Sequence, residues 1–93
     1  MSIMDTMDTM RERLHPLQAV TIEIIDDSAK HAGHEGAKSG GGHYRLNIVS
    51  PLFAGLRTME RHRLVYQALG TLMQREVHAL SITALAPEET PAG

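Results

Sequence analysis

The sequence predicts a single α+β domain in which helices pack on one face of a three-stranded mixed sheet. The first observation is a helical pattern at the start of residues 57–80 that is followed at once by a β-branched run. The second is a pair of alternating apolar and polar segments upstream, at residues 20–25 and 43–49. Together with a first helix and a short helical turn at residues 51–54, these segments give the order α-β-β-α-α-β.

The N-terminal part of the chain begins with a predicted helix over residues 3–14. Its apolar residues have the 3-4-3 spacing of one helical face, and they are Ile3, Met7, Met10 and Leu14. Pro16 ends this helix. The strand at residues 20–25 then leads into a glycine-rich loop over residues 27–42, a length that is typical of functional or disordered loops.

The second strand, residues 43–49, is expected to pair antiparallel with the first across this loop. A short helical turn at residues 51–54 and a main helix over residues 58–74 follow, with Gly70 inside the helix. The third strand, residues 77–85, should run parallel to the second, because a strand-helix-strand crossover returns the chain in the same sense. The main helix has one apolar face, formed by Leu64, Val65, Ala68, Leu69 and Leu72.

The chain of 93 residues is long enough for one domain, which we place at residues 1–86. Residues 87–93 are expected to form a flexible C-terminal tail. The sequence shows no signal peptide and no apolar run near 20 residues, so we expect a cytoplasmic protein without a membrane partner.

The composition argues against several classes of function. Aromatic residues make up only 3% of the chain and its formal net charge is −2, neither of which is typical of a free-standing nucleic-acid binder. With no cysteine, the chain has no thiolate to serve as nucleophile or metal ligand. Nucleophile elbows, phosphate-binding glycine loops and paired carboxylates at useful spacing are also missing, so we predict no catalytic residue and no enzyme activity.

A metal site must therefore use His, Asp or Glu side chains or a partner's ligands, and the six histidines are the candidates considered first. His31 and His34 form a His-x-x-His pair in the glycine-rich loop that can converge on one metal ion, and adventitious Zn or Ni binding is one outcome. His43 and His78 each begin a strand, where a solvated or structural role is the ordinary expectation. His15 ends the first helix, where a positively charged side chain interacts favourably with the helix dipole.

Four short motifs, taken in order, resemble the BolA family. As an ordered set at these spacings they are specific, and the resemblance covers about residues 5–86. The motifs are His31-Ala32-Gly33-His34, Phe53-Ala54-Gly55, Arg61-His62-Arg63-Leu64-Val65 and Val77-His78-Ala79-Leu80. This resemblance implies a KH-like fold of the second type with the same element order.

The resemblance also implies a metal centre. In BolA-like proteins, a histidine at the position of His78 and a loop residue are ligands of a [2Fe-2S] cluster shared with a monothiol glutaredoxin of the Cys-Gly-Phe-Ser type, whose cysteine and bound glutathione complete it. His31 matches the loop ligand, with His34 and His43 in reserve. The isolated chain, a monomer or weak dimer, is then expected to hold no cluster. Iron-sulfur trafficking and iron or redox regulation are the implied roles.

An alternative function is DNA binding by a BolA-type transcriptional regulator. The residues for it form a basic edge at the start of the main helix, where the arginines are expected to face solvent. They are Arg57, Arg61, His62 and Arg63. The sequence lacks the Gly-x-x-Gly loop with which KH domains clamp a nucleotide backbone.

Overall fold

The computed structural model describes residues 5–27 and 42–90. The described elements follow the predicted order. In chain order they are α1 (Thr6–Leu14), β1 (Thr21–Asp26), β2 (Gly42–Val49), α2 (Thr58–Leu69), α3 (Leu72–Arg75) and β3 (Val77–Leu85). One-turn 3-10 helices at His15–Leu17, Pro51–Phe53 and Pro87–Glu89 connect or follow them. No helix within these residues is long and apolar enough to cross a membrane.

The three strands form one mixed sheet in the order β1-β2-β3. β1 pairs antiparallel with β2 in a register that places Thr21 opposite Val49 and Asp26 opposite Tyr44. β2 pairs parallel with β3. Both pairings confirm the prediction, and β2 is therefore the central strand, with hydrogen bonds on both sides.

The core lies between one face of this sheet and the helices. On the central strand, the alternating side chains Leu46 and Ile48 are almost fully buried. The helices contribute the apolar stripes that the spacing predicted. Their buried members are Met10, Leu14, Val65, Leu69 and Leu72. The predicted α+β architecture is thus confirmed.

The predicted main helix is interrupted at Gly70. Gly70 caps the C-terminus of α2 with φ +57°, a backbone conformation that residues with a Cβ rarely adopt. The chain turns there and forms the separate short helix α3. The prediction of one continuous helix over residues 58–74 was therefore wrong, because this glycine ends a helix instead of lying within one.

Arg61 is buried, and the expectation that it faces solvent was wrong. Its guanidinium donates to the carbonyl oxygens of Leu56 and Ala84, at 3.0 Å in each case, and binds both carboxylate oxygens of Glu89, at 2.6 and 2.8 Å. Glu89 also accepts a hydrogen bond from the backbone N–H of Ala86 at 2.7 Å. The group that was assigned to phosphate thus links α2 to the end of β3 instead.

The first residues of the predicted C-terminal tail contact the domain through Glu89, which binds Arg61 and the N–H of Ala86. The 3-10 turn Pro87–Glu89 presents Glu89 to Arg61. Hydrogen bonds from Arg61 and from the Ala86 N–H lower the pKa of Glu89 from its ordinary 4.5 to about 2. The same hydrogen bond raises the pKa of Arg61.

Ser50 joins the C-terminal end of β2 to the 3-10 turn that follows α1. Its buried hydroxyl donates to the carbonyl of Leu17 at 2.5 Å and accepts from the N–H of Leu52 at 3.1 Å. The backbone N–H of Ser50 donates to the Leu85 carbonyl. One small side chain therefore satisfies polar groups from two connections that would otherwise be buried without partners.

Replacing Glu89 with Gln should reduce the loss of stability in acid. Because the pKa of Glu89 is lower in the folded chain than its ordinary value, its ionised form stabilises the fold above about pH 4.5, and this contribution is lost as the pH falls toward 2. Urea unfolding midpoints of wild type should fall across this range, and those of Glu89→Gln should fall less. Glu88→Gln, at the exposed neighbour, is the matched control; an equal change in both variants would contradict the assignment.

Replacing Ser50 with Ala should lower the free energy of unfolding by roughly 1–3 kcal/mol, since the buried Leu17 carbonyl loses its donor. The matched control is Ser81→Ala, at an exposed position of β3, which should change stability by no more than about 0.5 kcal/mol. Denaturant titration measures both values. Equal effects at the two serines would contradict the role of the Ser50 hydroxyl.

Candidate functional site

The candidate site lies at the edge of the sheet where β2 and β3 begin. Because these two strands are parallel, their first residues lie side by side, and the N–H of Gly42 donates to the carbonyl of Glu76 at 2.8 Å. A Cβ at position 42 would collide with the ring of Tyr44, so any other residue at the start of β2 would force that side chain to shift. His43 and His78, the second residues of the two strands, are thereby brought to the same edge.

An irregularity in the pairing aligns these two histidines. Gly42 pairs with Val77, whereas the next residue of β2, His43, pairs with Ala79. β3 therefore carries one additional residue, His78, which makes a β-bulge opposite His43. Bulges of this kind redirect a side chain and occur often beside functional sites. The two imidazole rings lie with centroids 5.2 Å apart at an angle of 44°, with His43 half-buried and His78 exposed.

A shallow cleft of about 290 Å³ lies beside His43 and is lined by residues of all three strands or their ends. One wall carries an ion pair, in which Arg45 Nε lies 2.6 Å from Asp27 Oδ2. The N–H of Asp27 donates to the carbonyl of His43 at 2.7 Å. The segment that connects β1 to β2 is thus attached at both ends next to the histidine pair.

The other histidines of the chain either lie outside the described residues or lie away from this edge. His31 and His34, in the connecting segment, lie outside the described residues. His15 is exposed in the turn after α1, which contacts the opposite end of the sheet through Leu17 and Ser50. His62 is half-buried on α2. Within the described residues the structure therefore brings together the principal candidate, His78, and the reserve candidate, His43.

The spacing of the two rings fits shared coordination of one metal ion. Metal–nitrogen bonds of ~2.0–2.1 Å in a tetrahedral site place the centroids of two imidazoles roughly 5 Å apart. The described part of the chain contains no group of three or more His, Cys, Asp or Glu residues that could hold a metal. His43 and His78 can therefore supply two ligands, and a cluster at this edge needs ligands from elsewhere.

A second surface lies on the solvent side of α2. A groove of about 480 Å³ is lined by Met59, His62, Arg63, Tyr66 and Gln67. Met59 is 75% exposed and Tyr66 43% exposed, so the groove presents apolar surface to solvent. Sequence reasoning missed this groove, although Met59 and Tyr66 lie outside the apolar stripe of the helix and were a visible signal.

The predicted basic edge is smaller than expected. Arg57 precedes α2 as its N-cap residue, where its backbone N–H donates to the Glu60 carboxylate at 2.8 Å. Arg57 and Arg63 are exposed and His62 is half-buried, so these three side chains remain accessible. Arg61 is withdrawn into its bonds with Glu89 and the backbone. Two arginines and one histidine are left to contact a phosphate.

Known proteins are similar to this chain in sequence and in fold. The family model described as "BolA-like protein" matches residues 10–89. The chain is 41% identical over 87 residues to "Protein BOLA1, chloroplastic" of Arabidopsis thaliana, a match that covers 89% of the chain and 54% of that protein. It is 37% identical over 68 residues to "DNA-binding transcriptional regulator BolA" of Vibrio cholerae, covering 73% of the chain and 61% of the relative.

The structural comparison agrees with the sequence comparisons. The solved structure "BolA1 from Arabidopsis thaliana" superposes with a TM-score of 0.81 at 39% identity, covering 97% of this chain and 100% of that one. The chain spans about half the length of the full Arabidopsis protein and somewhat more of the Vibrio protein. On the family match, the sequence identity and the shared fold, the chain belongs to the BolA family.

Proposed function

We propose that this chain is a partner of a monothiol glutaredoxin of the Cys-Gly-Phe-Ser type and shares a [2Fe-2S] cluster with it. The observation that carries the proposal is the position of His78. It is exposed at the irregular start of β3, at the sheet edge where β2 begins and the histidine-bearing segment 28–41 ends. The proposed role is iron-sulfur trafficking or iron and redox regulation in the cytoplasm, without catalysis by this chain.

The ligand chemistry supports a shared cluster. Because the chain has no cysteine, it can offer imidazole nitrogens but no thiolate. A partner must then supply the sulfur ligands, here the glutaredoxin cysteine and a glutathione thiol. When two histidines replace two cysteines on one iron of a [2Fe-2S] cluster, the reduction potential rises, which suits regulation or transfer more than low-potential electron transfer.

The proposal assigns the ligands to specific positions. His78 is the ligand on the rigid strand, held by the bulge in β3. His31 is the second ligand by its match to the family pattern, with His34 and His43 as alternatives. His43 has the support of its position beside His78, so it is the competitor against which His31 has to be tested.

Replacing His78 with Ala should abolish the spectrum of the mixed complex. Anaerobic reconstitution with a Cys-Gly-Phe-Ser glutaredoxin and glutathione, followed by visible circular dichroism, should give a wild-type spectrum that differs from that of the glutaredoxin homodimer. The His78→Ala mixture should return the homodimer spectrum, since one iron ligand is lost. His15→Ala, an exposed histidine at the far end of the sheet, is the matched control and should behave as wild type. An unchanged spectrum with His78→Ala would reject the ligand assignment.

The second ligand can be identified by the same spectrum. His31→Ala should change it as strongly as His78→Ala does, whereas His34→Ala and His43→Ala should leave the histidine-ligated bands in place. If His43→Ala removes the bands and His31→Ala does not, the pair seen at the sheet edge is itself the ligand pair. Size-exclusion chromatography of each mixture separates a loss of ligation from a loss of complex formation.

DNA binding is the second candidate function, and two observations favour it. A relative that matches most of this chain carries the name of a DNA-binding transcriptional regulator. Arg57, His62 and Arg63 are accessible on or just before the first two turns of α2, where helix N–H groups favour phosphate. With Arg61 occupied by Glu89, such a site makes about two cationic contacts, fewer than the sequence suggested.

The salt dependence of DNA affinity tests this candidate. Two phosphate contacts predict a log–log slope of about −1.8 against salt concentration, and either Arg57→Gln or Arg63→Gln should make the slope less steep by about 0.9. Arg75→Gln, at an exposed arginine of α3, is the matched control. A slope near zero, or an equal effect of all three variants, would remove the α2 site as a DNA interface. Fluorescence anisotropy on a duplex at several salt concentrations gives the slopes.

A further inference from the structure

The outer edge of β3 is the longest strand edge in the sheet. β3 has nine residues and lies at one end of the strand order, so only its side toward β2 is paired within the described chain. On that side the carbonyl of Leu85 accepts from the N–H of Ser50. Since the backbone groups of successive residues point to opposite sides of a strand, those of Leu80, Ile82 and Ala84 point away from β2.

These outward groups are unpaired over a short, defined stretch. The carbonyl of Ala84 accepts from Arg61 at 3.0 Å, which confirms the direction and closes that end of the edge. The bulge at His78 closes the other end. Between them, the N–H and C=O groups of Leu80 and Ile82 have no hydrogen-bond partner among the described residues. We call this stretch, Ala79–Thr83, the free edge.

The free edge lacks the features by which proteins protect such strands. It contains no charged residue and no proline. Leu80 and Ile82 are only half-buried, although their partners on the central strand, Tyr44 and Leu46, are buried. The opposite edge is different, because Arg11 donates to the carbonyl of Ile22 at 3.4 Å and β1 carries Glu23 and Asp26.

We propose that the free edge pairs antiparallel with the free edge of a second copy of this chain. A two-fold axis at Ser81 places Leu80 opposite Ile82 of the second copy, and Ile82 opposite Leu80. Each of these two pairs exchanges two backbone hydrogen bonds, so the four unpaired groups of each chain find partners. The result is a continuous six-stranded sheet, an isologous dimer that needs no other surface.

The sequence of the free edge favours a second copy as the occupant. The pairing is self-complementary: two apolar side chains meet across the axis on the helix-covered face, and small or polar residues meet on the open face. No like charges are brought together. With only the five residues of each free edge in contact, the interface is smaller than the roughly 1,200 Å² typical of stable complexes, so the dimer should dissociate on dilution. The proposed dimer does not depend on the proposed cluster, and it is tested on the cluster-free chain.

Sedimentation velocity from micromolar to millimolar protein tests the dimer. The wild-type mass should rise from the 10.2 kDa monomer toward twice that value. Ser81→Lys should weaken dimerisation by about three- to tenfold, because the two lysines would face each other across the axis. Mixing Ser81→Lys with Ser81→Glu should restore the dimer. Thr21→Lys, at an exposed position of β1, is the matched control and should dimerise as wild type.

Amide hydrogen exchange by NMR gives a readout at the residues concerned. The amides of Leu80 and Ile82 should become protected as the concentration rises, whereas the outward amide of Ile24 on β1 should not. A chain that stays monomeric at millimolar concentration would overturn the proposal. A dimer that Ser81→Lys does not weaken, with Leu80 and Ile82 unprotected, would overturn it too and move the contact to another surface, such as the groove on α2.

Discussion

The parallel pairing of β2 with β3 is the constraint on which the rest of this structure depends. It requires a crossover through α2 and α3, and that crossover covers one face of the sheet and completes the core. It also sets the starts of two strands side by side. Once the extra residue His78 is accommodated in β3, two imidazoles meet at an edge to which no other described element contributes a histidine. The parallel pairing of β2 with β3 therefore determines both the fold and the position of the two histidines.

Buried polar contacts hold the other end of this arrangement. Arg61 and Glu89 tie α2 to the last strand and to the turn after it, while Ser50 ties the end of β2 to the turn after α1. These contacts lie away from the histidine edge, where the side chains are exposed or half-buried. This division fits the proposed function, because an edge proposed to share a cluster with a partner has to remain accessible while the fold is stabilised elsewhere.

The sequence predicted the fold more fully than the site. Strand positions followed from alternating side chains, and β3 was predicted to the residue. Arg61 was misread because residue type was weighed above position: it precedes Val65 and Leu69 by four and eight residues and so lies on the buried stripe. The helical periodicity of the sequence therefore places Arg61 on the buried face of α2.

The geometry of the site could not be predicted from any local sequence pattern. The register shift that redirects His78 arises from how two distant segments pair, and an isolated His78 looks like any histidine at a strand start. The proximity of His43 has the same origin. The family resemblance identified His78 and ranked His43 in reserve, whereas only the three-dimensional pairing brings the two rings together. His31 and His34 lie outside the described residues, so their part in the site still rests on the resemblance.

The most direct test of the account is to detect the nitrogen ligands themselves. The cluster formed with the glutaredoxin and glutathione would be reduced by one electron, with this chain alone labelled with ¹⁵N-histidine, and studied by pulsed electron paramagnetic resonance. We predict two strongly coupled ¹⁵N nuclei in the wild-type complex. Both couplings should be lost with His78→Ala, because the cluster then returns to the glutaredoxin homodimer. Absence of strong ¹⁵N coupling in a complex that holds the cluster would show that this chain provides no histidine ligand, and it would contradict the central claim.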